Sequence, residues 1–157
     1  RVAGRLSHFP CEYHGRDITF ILDVAHNPQA AEFLSGQVNS CKIAVLAMLA
    51  DKDPAAVVAA LPDIDCWQLA GLPGYRGQTS EALQSRVTVS GCDKVLNCHD
   101  TVKDAMIASL QIVDAELGNN EILIIGSFLT VSAAEQALDS IEGLVLKNCN
   151  GIKRVAE

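Results

Sequence analysis

Residues 16–34 read RDITFILDVAHNPQAAEFL. Ile18, Thr19, Phe20, Ile21 and Leu22 make a short apolar run rich in strand formers, bounded by polar residues, as a buried strand requires. The run stops at Asp23. Asn27 is placed to cap a helix, and Pro28 suits the first helical position, where a missing N–H costs nothing. The stretch is therefore strand, polar loop, helix.

The same grammar continues toward the carboxyl end. Residues 43–49 form a strand, 51–53 a polar loop, and Asp53 caps a helix over 54–60. A third strand over 64–69 is interrupted by Asp65 and Gln68, and a Gly/Pro loop follows over 71–77. Thr79 or Ser80 caps a short helix over 81–85, and residues 93–98 form a strand. Asp100 caps a helix over 101–117 that Gly118, Asn119 and Asn120 stop, then comes a strong strand over 121–125. Gly126 and Ser127 turn the chain into a helix over 130–141. Toward the amino end, residues 5–14 and the Gly15 break give an antiparallel hairpin with the first strand. Residues 143–157 show no clear periodicity and read as a fraying tail behind a domain of residues 1–142.

Strands alternating with helices give an α/β fold: a doubly wound, mostly parallel sheet with helices on both faces. Composition agrees. Of the 157 residues, 49% are hydrophobic and only 4% aromatic, so the core is aliphatic, as covered parallel strands require. The net charge of −7 comes without a basic cluster, which excludes nucleic acid and an anionic membrane surface as expected partners. No signal peptide or membrane-length apolar run is present. Cys11, Cys41, Cys66, Cys92, Cys98 and Cys149 form no C-x-x-C pair. They read as reduced thiols of a cytoplasmic protein, and Cys98 with His99 lacks a second ligand pair at zinc-like spacing.

In a doubly wound sheet, ligands meet the loops at the carboxyl ends of the strands. Those loops carry Asp23 and His26; Asp51, Lys52 and Asp53; the 71–77 segment; Cys98, His99 and Asp100; and Gly126 with Ser127. No G-x-G-x-x-G follows the first strand, no G-x-x-x-x-G-K-[ST] occurs and no G-x-S-x-G occurs, so dinucleotide, P-loop and hydrolase-elbow chemistry are unsupported. A receiver-type domain wants a lysine where Gly126, Ser127 and Phe128 stand. Asp23 can accept from a ribose, an amine or a cation-bound water, and His26 can donate to a carboxylate or phosphate beside a helix N-terminus. Alternatively, Asp23 caps its own loop and His26 packs. Asp51, Lys52 and Asp53 read as a solvated charged turn. Gly126 and Ser127 are either a tight turn or a backbone anion site.

Four ordered strings resemble folylpolyglutamate synthases and dihydrofolate synthases, amide ligases of the Mur-ligase-like superfamily. Asp23 to Pro28 (DVAHNP) is similar to the family's D-x-A-H-N-P. Ala3-Gly4-Arg5 resembles its P-G-R, Met48 to Asp53 its M-L-x-D-K-D, and Gly126 to Val131 its G-S-F-x-T-V. The resemblance covers residues 3–140. It implies the carboxyl-terminal domain of an ATP- and Mg2+-dependent ligase that adds L-glutamate to dihydropteroate or folate through an acyl phosphate. It further implies that this domain closes over an amino-terminal P-loop domain of the same polypeptide. Arg5 and Asp23 would then contact ATP, and His26 and Ser127 the incoming glutamate; no catalytic residue or metal ligand is carried over. A domain of a Mur-type ligase for cell-wall precursors and a stand-alone binding module are the competing readings.

Overall fold

The computed structural model describes residues 6–38, 40–115, 120–147 and 153–155. Ser7–Tyr13 (β1) and Arg16–Leu22 (β2) form the antiparallel hairpin, in register from Ser7 opposite Leu22 to Tyr13 opposite Arg16. His14 and Gly15 make its two-residue turn with φ of 50° and 77°, the left-handed pair that matches the twist of the flanking strands.

Next come Pro28–Ser35 (α1), Ile43–Leu46 (β3), Pro54–Ala59 (α2), Cys66–Ala70 (β4), Ser80–Thr88 (α3) and Val95–His99 (β5). Val102–Ala115 (α4), Glu121–Ile125 (β6), Phe128–Leu138 (α5), Leu144–Lys147 (β7) and Lys153–Val155 (β8) complete the order. Three of the capping residues read from the sequence do cap, whereas at α4 it is Thr101 and not Asp100 whose side chain accepts from the Asp104 amide, at 3.1 Å. Asn27 Oδ1 accepts from the Ala30 amide at 2.8 Å, Asp53 Oδ1 from Ala56 at 3.2 Å and Thr79 Oγ1 from Ala82 at 3.1 Å. Each cap contributes about 1 kcal/mol.

One sheet runs in the order β5-β4-β3-β6-β2-β1-β7-β8. Its five strands from β5 to β2 pair in parallel, and β1, β7 and β8 add antiparallel partners. Alternate strand residues feed two cores, as the two-residue repeat of a strand dictates. Phe20, Leu22, Val45 and Ile124 pack with Met106 and Leu110 of α4 and with Val131 and Leu138 of α5. Ile21, Leu46 and Leu123 pack with Leu34 of α1, Val57 of α2 and Leu83 of α3. Helices therefore cover both faces, as the strand–helix rhythm requires. Among the described residues no helix is long and apolar enough to cross a membrane.

Three local expectations need correction. Residues 144–147 and 153–155 are strands rather than a fraying tail: β7 pairs with β1, Leu146 opposite Cys11, and β8 pairs with β7. Four residues are too few to show a period. What orders β7 is the otherwise open edge of β1, the burial of Leu144, and an ion pair from Lys147 to Asp17. The helix read as 81–85 is Ser80–Thr88, because Leu83 and Val87, one turn apart, both reach the core. Gln68 does not weaken β4. Its buried amide donates to Cys66 Sγ at 3.1 Å and its oxygen meets His99 Nε2 at 2.5 Å, so the polar group is satisfied inside.

Cys11, Cys41, Cys66, Cys92 and Cys98 are free thiols, and Cys149 lies outside the described residues. Burial pushes the Cys11 and Cys41 thiols up to about 12; Lys147 slightly offsets this for Cys11, and Glu121 adds to it for Cys41. Both should resist alkylation in the native protein and react once it is denatured, with all six thiols counted under denaturing, non-reducing conditions. The same shifts set a pH dependence. A thiol whose folded pKa is raised lends stability that is complete below its unfolded pKa and lost as pH rises toward the folded one. The urea midpoint should therefore fall above about pH 8.5, and fall less in a Cys11→Ala, Cys41→Ala double variant. An equal fall in both proteins would remove these thiols as the cause.

β6 lies between β2 and β3 in the sheet. Helices α1 and α2 follow β2 and β3 onto one face, whereas α5 follows β6 onto the other. Loops parting to opposite faces open a crevice at the carboxyl ends of these strands, where such sheets bind ligands.

Candidate functional site

Three loops meet at this crevice. The first follows β2. Asp23 Oδ2 accepts from the Leu6 amide at 2.9 Å and Oδ1 from the Ala25 amide at 2.8 Å. The carboxylate thus braces the chain's entry into β1 and its own loop. Each oxygen keeps a second lone pair, so Asp23 can still accept from a ligand hydroxyl or amine. Arg5 lies outside the described residues.

His26 stands three residues on. Its Nδ1 lies 3.0 Å from the Val24 carbonyl oxygen. A carbonyl only accepts, so Nδ1 carries the proton and donates. Neutral His26 therefore presents a bare Nε2, which is an acceptor. The same Nδ1 contact holds in the doubly protonated ring, whose Nε2 would donate to a carboxylate as the sequence-based reading has it.

The second loop follows β6. Gly126, at φ 134°, passes so close to the end of β3 that a Cβ there would stand 2.0 Å from the Ala47 carbonyl oxygen. Ser127 is the N-cap of α5: its Oγ accepts from the Thr130 amide at 3.0 Å. Thr130 Oγ1 gives its single proton to the Ala47 carbonyl at 2.6 Å, so the 2.8 Å contact between the two hydroxyls has Ser127 as donor. Buried Ser127 thus has its proton committed and one lone pair left. It too is an acceptor rather than a donor.

The third loop follows β3 and supplies what the sequence reading passed over. Asp53 caps α2 and Asp51 is exposed, but Lys52 lines the crevice. Arg76, from the Gly/Pro segment, lines it as well. Neither cation has an ion-pair partner among the described residues. Lys52 belongs to a string that reads locally as a solvated turn, and nothing near Arg76 in sequence shows that the 71–77 loop folds over β3.

The crevice holds about 470 Å3 between Lys52, Arg76, His26 and Ser127, with Leu49 and the exposed Leu129 as part of its apolar lining. A second cleft of about 380 Å3 adjoins it, with His26 lining both. That cleft sets Asp23 and Asn27 against Leu6, Ala30 and an exposed Phe33. One compartment thus pairs cations with acceptors; the other pairs a carboxylate with an apolar wall. Cys98, His99 and Asp100 line neither. Cys98 Sγ faces the Ser80 carbonyl at 3.6 Å and His99 faces Gln68.

Among the described residues no group of three His, Cys, Asp or Glu could hold a metal ion. The crevice itself sets two cations, Lys52 and Arg76, where a metal ion would need anions.

The family model described as "Mur ligase, glutamate ligase domain" matches residues 4–128. The chain is 38% identical over 126 residues to the dihydrofolate synthase/folylpolyglutamate synthase of Escherichia coli, covering 76% of this chain and 28% of that protein. A folylpolyglutamate synthase structure from Mycobacterium tuberculosis, complexed with ADP and AMPPCP, superposes with a TM-score of 0.72 at 27% identity, over 87% of this chain and 32% of that one. The bifunctional synthase of Yersinia pestis complexed with AMPPNP and Mn ion gives 0.66 at 30% identity, over 88% and 32%. The chain spans less than a third of the length of these relatives.

Proposed function

The chain belongs to the Mur ligase glutamate ligase domain family, and from that premise we propose that it is the amino-acid-receiving domain of an ATP-dependent ligase that joins L-glutamate to dihydropteroate or folate. The observation that carries this reading is the pairing of charges in the crevice. An amino acid with two carboxylates needs cations for its acids and acceptors for its amine. Lys52 and Arg76 supply the first, and His26 Nε2 with the spare lone pair of Ser127 the second. The N-terminus of α5 opens on the same space and adds a favourable field for anions.

The adjoining cleft suits the nucleotide. Asp23 can accept from a ribose hydroxyl or a base amine, and Phe33 offers a flat apolar wall; Arg5, at the start of the domain, would reach the phosphates. His26, lining both clefts, would set the amine beside the activated acid. In the reaction so proposed, ATP phosphorylates the acceptor's carboxylate, the glutamate amine attacks the acyl carbon, and phosphate leaves. The domain's part is to bind and orient. The P-loop, the metal site and the pterin surface would belong to a preceding domain of the same cytoplasmic polypeptide.

Phosphoryl transfer depends on a positioned phosphate cradle and metal, and this sequence has no P-loop. The 157-residue chain alone should therefore release no phosphate from ATP. Joined to its P-loop domain, it should release phosphate only with glutamate and a pteroate or folate acceptor both present. Glutamate-dependent phosphate release by the chain alone, or its absence from the joined protein, would overturn this reading.

A further inference from the structure

Lys52 and Arg76 sit on two loops that are remote in sequence, and neither loop is long enough to pack a core of its own. What holds them is a polar lattice centred on two side chains that line neither cleft. Gln78 donates through its amide nitrogen to the Met48 carbonyl at 3.0 Å and to the Leu49 carbonyl at 3.3 Å. Arg86, on α3, donates through Nη1 to the Ala50 carbonyl at 3.0 Å and to Gln78 Oε1 at 3.3 Å, and through Nη2 to the Lys52 carbonyl. The Ala50 amide donates to the Arg76 carbonyl at 2.9 Å, which closes the lattice between the two loops.

The acceptors of Arg86 are all neutral. Its guanidinium is shared among backbone carbonyls and an amide oxygen, with no carboxylate partner among the described residues. The rigid fork of donors in one plane suits two carbonyls of one turn, which a lysine's point charge cannot bridge at once. We infer that Arg86 and Gln78 are positioning residues: they clamp the 48–53 loop to the 71–78 loop so that Lys52 and Arg76 face the crevice together. This deepens the reading of the crevice as a glutamate site and rests on it. Arg86 touches no substrate and acts through the two cations, its own charge adding to the field beneath them.

Two measurements test the clamp. In the 157-residue chain, Arg86→Ala should speed hydrogen exchange at the Ala50 and Lys52 amides by at least about tenfold, as local unfolding of a loop does, while amides of β3 and β6 keep their rates. Gln78→Ala should act the same way. In the protein joined to its P-loop domain, Arg86→Ala should raise KM for glutamate on the order of 10- to 100-fold, the cost of a small misplacement, with KM for ATP nearly unchanged. Arg86→Lys should recover only part of the loss. The loss from Arg86→Ala should be smaller in a Lys52→Ala background than in the wild type, because the part of it that acts through Lys52 is already gone and only the part through Arg76 remains. Unchanged exchange at Ala50 and Lys52, or additive losses in the double variant, would overturn the clamp. If the joined wild-type protein shows no glutamate-dependent phosphate release, the functional reading fails, and the exchange rates alone then decide whether Arg86 and Gln78 hold the loops.

Discussion

Gly126→Ala should destabilise the domain by roughly 3–5 kcal/mol, measured as a fall in the urea midpoint at unchanged slope. Two costs add. At φ 134° an L-residue is strained whatever the space around it, which costs about 1–3 kcal/mol. The new Cβ would also stand 2.0 Å from the Ala47 carbonyl oxygen and 2.8 Å from its carbon. These are backbone atoms and cannot rotate away, so β3 and the start of α5 must separate. Separation would loosen the Ala47 amide's bond to the Ile125 carbonyl and the 2.6 Å bond from Thr130 Oγ1 to Ala47. Gly143→Ala is the control. It too has positive φ, at 83°, but a Cβ there would meet only side-chain atoms at 3.7 Å and beyond, so it should cost no more than the conformational part. Equal losses at the two glycines would mean that the close approach of β3 to the β6 turn is not what makes Gly126 necessary.

The reach of the sequence can be judged from these same residues. Local signals were legible: the apolar run of β2, the caps at Asn27, Asp53 and Thr79, and the hairpin break at Gly15 all depend on neighbours within a few positions. The strand–helix alternation also gave the fold class and the edge on which ligands bind. Strand order is a different matter. β6 inserts between β2 and β3, and no local pattern in residues 121–125 says so. Yet that insertion is what gathers His26, Lys52 and Ser127 into one crevice. Arg76 and its tether to Ala50, the Gln78 and Arg86 lattice, and β7 on the edge of β1 are likewise long-range facts. The hydrogen-bonding character of Ser127 depends on a single proton, fixed by Thr130, and that of His26 on its protonation; residue identity alone cannot assign either.

That character makes the roles of His26 and Lys52 separable in the joined enzyme. Replacing His26 with alanine should raise KM for glutamate by about 10- to 150-fold, the equivalent of losing a hydrogen bond to a charged group, about 1.5–3 kcal/mol. Asp23→Ala should instead weaken ATP. The informative comparison uses glutarate, which keeps both carboxylates of glutamate and lacks its amine, as a competitive inhibitor. If His26 Nε2 accepts from the amine, His26→Ala leaves inhibition by glutarate nearly unchanged while glutamate binding collapses. Lys52→Ala and Arg76→Ala should weaken both ligands together, since both ligands carry the acids those cations hold. The proton on Nδ1, held by the Val24 carbonyl 3.0 Å away, is the premise. Were His26→Ala to weaken glutarate as much as glutamate, His26 would be a carboxylate donor after all, and its imidazole would have to be protonated at both nitrogens when substrate binds. Were it to leave glutamate binding intact in a folded protein, His26 would be a packing residue between the two clefts, and the acceptor for the amine would have to be sought at Ser127.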